Sequence, residues 1–180
     1  MQKRALIILL MLPATAMAHP GHDIAGFAAG FVHPFSGLDH TLAMLAVGIW
    51  AAMRQRAALQ IAGTFLGGML LGGMLGMQGL VAPILESLVL GSALLAALLV
   101  ALAVRLPVSA QLAVTSLFAL VHGMELPGSA SALPYAGGFL MATALLILAG
   151  WVAGRALGTQ RRQRLSGAGL AVVAGSLFFA

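Results

Sequence analysis

The residues able to do chemistry in this chain are few enough to name. Four acids, Asp23, Asp39, Glu86 and Glu125, and five histidines, His19, His22, His33, His40 and His122, supply all of them, and there is no cysteine. His33 stands six residues before Asp39, which adjoins His40, and His122 stands three before Glu125. Residues three apart share a helix face, so His122 and Glu125 would point the same way. His33 and His40, seven apart, also share a face, but on an unbroken helix they lie about 10 Å apart along the axis. Pro34 and Gly37 fall between them and would break the helical ladder there, bringing the two imidazoles together. Imidazole nitrogen plus carboxylate oxygen without thiolate suits nickel, cobalt, zinc or copper(II). One buried histidine is ordinarily a satisfied core residue. Three histidines with three acids at matching depth argue for metal or proton handling instead. Glu86, one turn past Pro83, is placed near the same depth. Ser36 has His33 near it only on its own segment and no oxyanion donors to match, and the His-Glu-x-x-His pattern of zinc proteases is absent, so an enzyme is not expected.

The rest of the chain says where these residues sit. Of its 180 residues, 61% are hydrophobic and 7% charged, with a mean hydropathy of +1.06. A soluble domain is about a quarter charged, so this composition belongs in a bilayer. It leaves no room for a nucleotide-binding domain, and no phosphate-binding glycine loop appears. Residues 1–18 read as a cleaved signal peptide: Lys3 and Arg4, an apolar run, Pro13, then Ala16-Met17-Ala18. Residues 19–180 read as one all-α transmembrane domain of six helices, near Ile24–Met53, Ala57–Met77, Ile84–Val104, Val108–Met124, Tyr135–Gly154 and Leu165–Ala180. The first is broken at Pro34/Gly37. Arg54 and Arg56 follow the first span, Arg105 the third, and Arg155, Arg161, Arg162 and Arg164 the fifth. All fall on one side, the cytoplasmic side by the positive-inside rule, which puts the mature N-terminus outside the inner membrane of a bacterial-type cell. The arginines mark topology, so the net charge of +5 does not imply nucleic acid. Gly63, Gly67, Gly68, Gly72, Gly73 and Gly76 form small-residue ridges that suit close helix packing, with Met69, Met74 and Met77 as gap fillers.

An ionised carboxylate at the bilayer centre costs about 2.5 to 3.5 kcal/mol on insertion scales. No lysine or arginine lies within a span to offset it, so a metal cation or protons must. His19 and His22, with the α-amine freed by cleavage, would capture a metal ion ahead of entry; a plain polar N-terminus is the alternative reading.

His33-x5-Asp39-His40, continuing through Thr41 to Ala51, resembles the first signature of the HupE/UreJ family of hydrogenase and urease accessory membrane proteins. Pro83-x-x-Glu86 with Leu90-Gly91, and Tyr135 with Gly137-Gly138-Phe139, are similar to further segments of that family. The stretch Phe118 to Glu125 departs from its second signature, keeping one histidine three residues before the glutamate. The resemblance implies a six-helix secondary permease carrying Ni²⁺, with Co²⁺ a second candidate, into the cytoplasm for maturation of hydrogenase or urease. Ni²⁺ is then cargo and no cofactor is permanently bound. His33, Asp39 and His40 would form the main site, with Glu125, His122 and Glu86 lining its outer entrance or completing the coordination. Partners would be the ion, the bilayer and maturation proteins. A membrane metal chaperone or sensor that binds without transporting is the competing reading.

Overall fold

A computed structural model describes residues 26–53, 57–79, 84–126 and 132–179, and every regular element among them is a helix. In chain order these are α1 (Phe27–Ser36), α2 (Leu38–Ala52), α3 (Ala58–Met77), α4 (Leu85–Ala101), α5 (Val108–Gly123), α6 (Ala132–Ala156) and α7 (Gln160–Phe178). The expected signal peptide, His19, His22, Asp23, Arg54, Arg56 and Pro83 lie outside the described residues.

The first apolar stretch is two helices meeting at 81°. The break is at Gly37, whose backbone is extended (φ −92°, ψ 113°), while Pro34 is accommodated inside α1. Pro34 has no N–H to give the Gly30 carbonyl, and its ring crowds that carbonyl, yet α1 continues through it to Ser36. The Pro34 carbonyl accepts from the Thr41 hydroxyl, and the Gly37 N–H donates to the His33 carbonyl at 3.1 Å. Both bonds satisfy backbone or side-chain groups that the bend would otherwise strand, as an apolar surrounding requires.

Around this bent pair, α6 packs on both α1 and α2, α5 packs on α3, and α4 joins α2 to α7. Glycines set the separations. A Cβ on Gly72 would overlap the Leu120 carbonyl oxygen, and one on Gly123 would overlap that of Met69, so α3 and α5 touch backbone to backbone. The glycine ridge divides accordingly: Gly68, Gly72, Gly73 and Gly76 face α5 or the turn after it, whereas Gly63 and Gly67 face open space. Met69 fills the core, but Met74 and Met77 are exposed.

Three hydrogen bonds tie one end of the bundle together. Trp50 Nε1 donates to the Val104 carbonyl (3.1 Å), Arg164 Nε to Ala101 (3.0 Å), and Gln163 Nε2 to Gly154 (2.8 Å). The C-terminal ends of α2, α4 and α6 therefore meet the start of α7. Every described arginine, Arg105, Arg155, Arg161, Arg162 and Arg164, is at this end. The last helix begins earlier than its apolar run: Thr159 caps it by accepting from the Arg162 N–H, so Arg161, Arg162 and Arg164 are helical rather than part of a connection.

Polarity is inverted relative to a soluble protein. Leu59 and Leu133 are 89% and 84% exposed, while His40, Gln111, Thr115, His122 and Thr143 are buried. Such a surface suits lipid, and the chain is a membrane protein. Among the described residues, α3 and α6 are each long and apolar enough to cross a bilayer, and the bent α1–α2 pair makes three if the pair is taken as one broken span rather than a re-entrant loop. Helices α4 and α5 are apolar but shorter, at 17 and 16 residues.

Candidate metal centre

The bend at Gly37 makes the centre. It aims the end of α1 and the start of α2 at the same point, and the turn following α5 brings Glu125 to that point from across the bundle. His33 Nε2 and His40 Nε2 lie 3.9 and 3.0 Å from the same Glu125 oxygen, Oε2. All three ligand atoms fall within 4.8 Å of one another. Nitrogen and oxygen ligands of a first-row ion such as zinc stand about 2.1 Å from it, which separates two of them by about 3.0 Å at a right angle and about 4.2 Å when opposed. The observed spacings of 3.9 and 3.0 Å fall in that range.

The protonation pattern sharpens the chemistry. His40 Nδ1 is 3.0 Å from Asp39 Oδ1, which also accepts the His40 backbone N–H at 2.7 Å. A carboxylate there holds the proton on Nδ1 and leaves a lone pair on Nε2. Nε2 then faces the Glu125 carboxylate at 3.0 Å without an aligned hydrogen bond. Two lone-pair groups that close repel unless a cation lies between them or the imidazole carries a second proton. With neutral imidazoles, Asp39 and Glu125 give the centre two negative charges, and the described arginines are all at the far end of the bundle. One divalent cation would balance the pair, which a membrane interior demands.

His122 extends the centre inward. Its ring lies 4.8 Å from that of His40, which in turn lies 5.0 Å from that of His33. His33 is 35% exposed, His40 2% and His122 fully buried, so the three imidazoles step from surface to core. His122 Nδ1 donates to the Phe118 carbonyl at 2.9 Å, with Ser92 Oγ 3.5 Å away. Its Nε2 has no hydrogen-bond partner among the described residues and carries the free lone pair.

Of the residues singled out from the sequence, the structure brings His33, His40 and Glu125 together and sets His122 beside His40. Asp39 is behind His40, holding it, rather than among the converging atoms. Glu86 is exposed on the first turn of α4 and is not part of the cluster. His19 and His22 are outside the described residues. Ser36 Oγ donates to the carbonyls of His33 and Val32 (2.8 and 3.4 Å), which leaves it no histidine base. The walls were not foreseen. Phe139 is buried with its ring 5.2 Å from His33 and 5.6 Å from His40, Tyr135 lies 5.9 Å from His33, and Phe65 lies 6.0 Å from His122. These rings pack against the imidazoles, with His40 and His122 covered and His33 left 35% exposed. The signal for the first two was the Tyr135 to Phe139 segment, which the sequence set apart without assigning it a role.

Gly37 is required here by close approach. A Cβ on it would stand 2.7 Å from Asp39 Oδ1 and 3.2 Å from His40 Nδ1, inside the bond that orients the imidazole.

Residues 7–178 match the HupE / UreJ protein family. The Protein HupE of Rhizobium leguminosarum bv. viciae is 40% identical over 146 residues, covering 78% of this chain and 76% of that one. No solved structure matches.

Proposed function

The chain belongs to the HupE / UreJ family, and from that premise we propose that it is a secondary permease that carries Ni²⁺ into the cytoplasm for maturation of a hydrogenase or urease. The observation that carries this reading is the pairing of His40 Nε2, its ring held at Nδ1 by Asp39, with Glu125 at 3.0 Å. A divalent cation between the two would satisfy both lone-pair groups. The inward step from His33 through His40 to His122 gives the cation a direction, from an exposed ligand to a buried one. Nickel fits an imidazole and carboxylate set without thiolate, and Co²⁺ would compete for it.

In this reading the protein lies in the inner membrane with its arginine-bearing end in the cytoplasm and the centre toward the outside, where His33 admits the ion. His33, His40 and Glu125 coordinate it, Asp39 orients His40, and His122 receives it next. Glu86 and the N-terminal His19 and His22 gather ions at the entrance. The products of uptake pass to maturation proteins.

The test is time-resolved uptake of ⁶³Ni²⁺ by proteoliposomes containing the wild type, His40→Ala or Glu125→Gln. Uptake by the wild type and at least tenfold less by either variant is the expected result. A folded wild type that binds Ni²⁺ but carries none would sink the permease and favour a membrane metal chaperone.

A further inference from the structure

The buried polar groups do not stop at the histidines. On α5, Gln111, Thr115, Phe118 and His122 recur at intervals of four, three and four residues and are all buried, so they form one row along the helix. The row that meets the backbone of α3 is a different one: Ser116, Ala119, Leu120 and Gly123 meet Gly68, Gly72 and Met69. At 100° per residue the two rows are about a third of a turn apart. The His122 ring shows what the first row faces, since it adjoins His40 of α2 and Ser92 of α4. The row starts at the metal centre and runs down α5, buried, toward the arginine-bearing end. Gln111, eleven residues before His122, is about 16 Å further along.

These side chains are also unspent. Gln111 is fully buried, and neither Oε1 nor Nε2 of its amide has a hydrogen-bond partner among the described residues. Thr143 on α6, one turn inward of Phe139, is fully buried with its hydroxyl likewise unpartnered. The Thr115 hydroxyl donates to the Gln111 backbone carbonyl at 2.8 Å, which leaves its own lone pairs open. An unpaired buried polar group is a liability in any apolar surrounding, and leucine or valine would fill these positions without it. A reason other than packing must keep oxygen there.

We propose that Thr143, Thr115 and Gln111 form the inner half of the ion's route, with the Gln111 amide oxygen as a second, weaker station for a partly hydrated divalent cation. This rests on the transport reading of the histidine centre and names what lies beyond it. Neutral oxygens hold a nickel-type ion less tightly than imidazole and carboxylate do. An ion passed from the first set to the second is thereby readied for release, and conduction needs sites weak enough to leave.

The absence of native cysteine makes the test clean. Thr115→Cys and Thr143→Cys are probed in proteoliposomes with a charged, membrane-impermeant methanethiosulfonate, with the lipid-facing Leu117→Cys as control. Both buried cysteines should react at least tenfold faster than the control, and Ni²⁺ should slow them. In parallel, Gln111→Leu should lower ⁶³Ni²⁺ uptake at least tenfold while Ni²⁺ affinity at the histidine centre stays within threefold. Gln111→Glu, which keeps an oxygen, should retain more uptake than the leucine variant. Buried cysteines as inert as Leu117→Cys, or wild-type uptake by Gln111→Leu, would overturn the route. A wild type without uptake but with reactive, Ni²⁺-protected cysteines would refute transport and uphold the polar path.

Discussion

If Asp39 acts only through His40, the two residues cannot contribute independently to metal affinity. Asp39 spends its carboxylate on its neighbour. Its Oδ1 accepts from His40 Nδ1 at 3.0 Å and from the His40 backbone N–H at 2.7 Å, and no atom of it is among the three that converge. Loss of a carboxylate that orients a metal-bound histidine typically costs 10- to 100-fold in affinity, or about 1.4 to 2.7 kcal/mol. Asp39→Ala should therefore weaken Ni²⁺ binding by that factor, and His40→Ala, which removes a ligand outright, by more. The informative variant is the double one. With no imidazole left to orient, Asp39→Ala in the His40→Ala background should cost threefold or less, so that the coupling between the sites recovers most of the single-variant effect. Isothermal titration calorimetry of the purified protein in detergent at fixed pH and salt reads all four affinities, with circular dichroism confirming that helicity is kept. An Asp39→Ala effect of equal size in both backgrounds would show that Asp39 is itself a ligand, and the assignment of roles around His40 would be wrong.

Gly37→Ala should lower Ni²⁺ affinity at least tenfold without loss of helicity, because the added methyl group meets Asp39 Oδ1 at 2.7 Å; an unchanged titration would count against the close approach at the bend. Gly72→Ala should destabilise the protein by about 1 to 3 kcal/mol through overpacking of α3 against α5, whereas Gly63→Ala, with nothing within 4 Å of the new methyl, should match or exceed wild type in a thermal melt. Equal melting of the two variants would refute the account of that interface. Trp50→Phe removes the hydrogen bond to Val104 and should cost about 0.5 to 1.5 kcal/mol, read as a lower midpoint in the same melt.

The helices were legible because composition and length alone force them in a bilayer, and the start of α3 and of α5 fell within a residue of the apolar runs. The end of a run is less informative where charged residues can remain helical, which is why α7 begins at Gln160 and not after the arginines. Proline and glycine were both marked as breakers, yet only Gly37 breaks. Pro34 forfeits one ladder bond without ending α1, which runs on to Ser36, and the chain had no way to reveal which of the two would break. At the centre, residue type singled out side chains of which the structure draws His33, His40 and Glu125 together and leaves Glu86 apart, but spacing could not assign their roles. Asp39 and His40 are adjacent in sequence, so both looked like ligands. Only the rotamer that turns the carboxylate back onto Nδ1 separates the ligand from the group that holds it. Gln111, Thr115 and Thr143 drew no notice in the sequence, since a lone amide or hydroxyl in an apolar helix commonly bonds its own backbone. Their meaning lies in burial without a partner, a property of the packed bundle.

The placement of the centre also bears on how an ion would leave it. A site built from imidazoles and a carboxylate, with a second carboxylate behind His40, is suited to capture and poorly suited to release. In the proposed orientation the centre lies toward the outside, and the row from His122 to Gln111 runs inward over about 16 Å. Most of the membrane's electrical drop then falls between the tight ligands and the cytoplasm. Two positive charges crossing 100 mV gain about 4.6 kcal/mol, equivalent to roughly a 2,000-fold change in occupancy. That gain is delivered along the inner route, where the ion must part from imidazole, rather than at the entrance, where the carboxylates already favour binding. A high-affinity outer site and a weak oxygen-lined inner path thus suit inward movement of a divalent cation, and the same two halves in the opposite order would resist it.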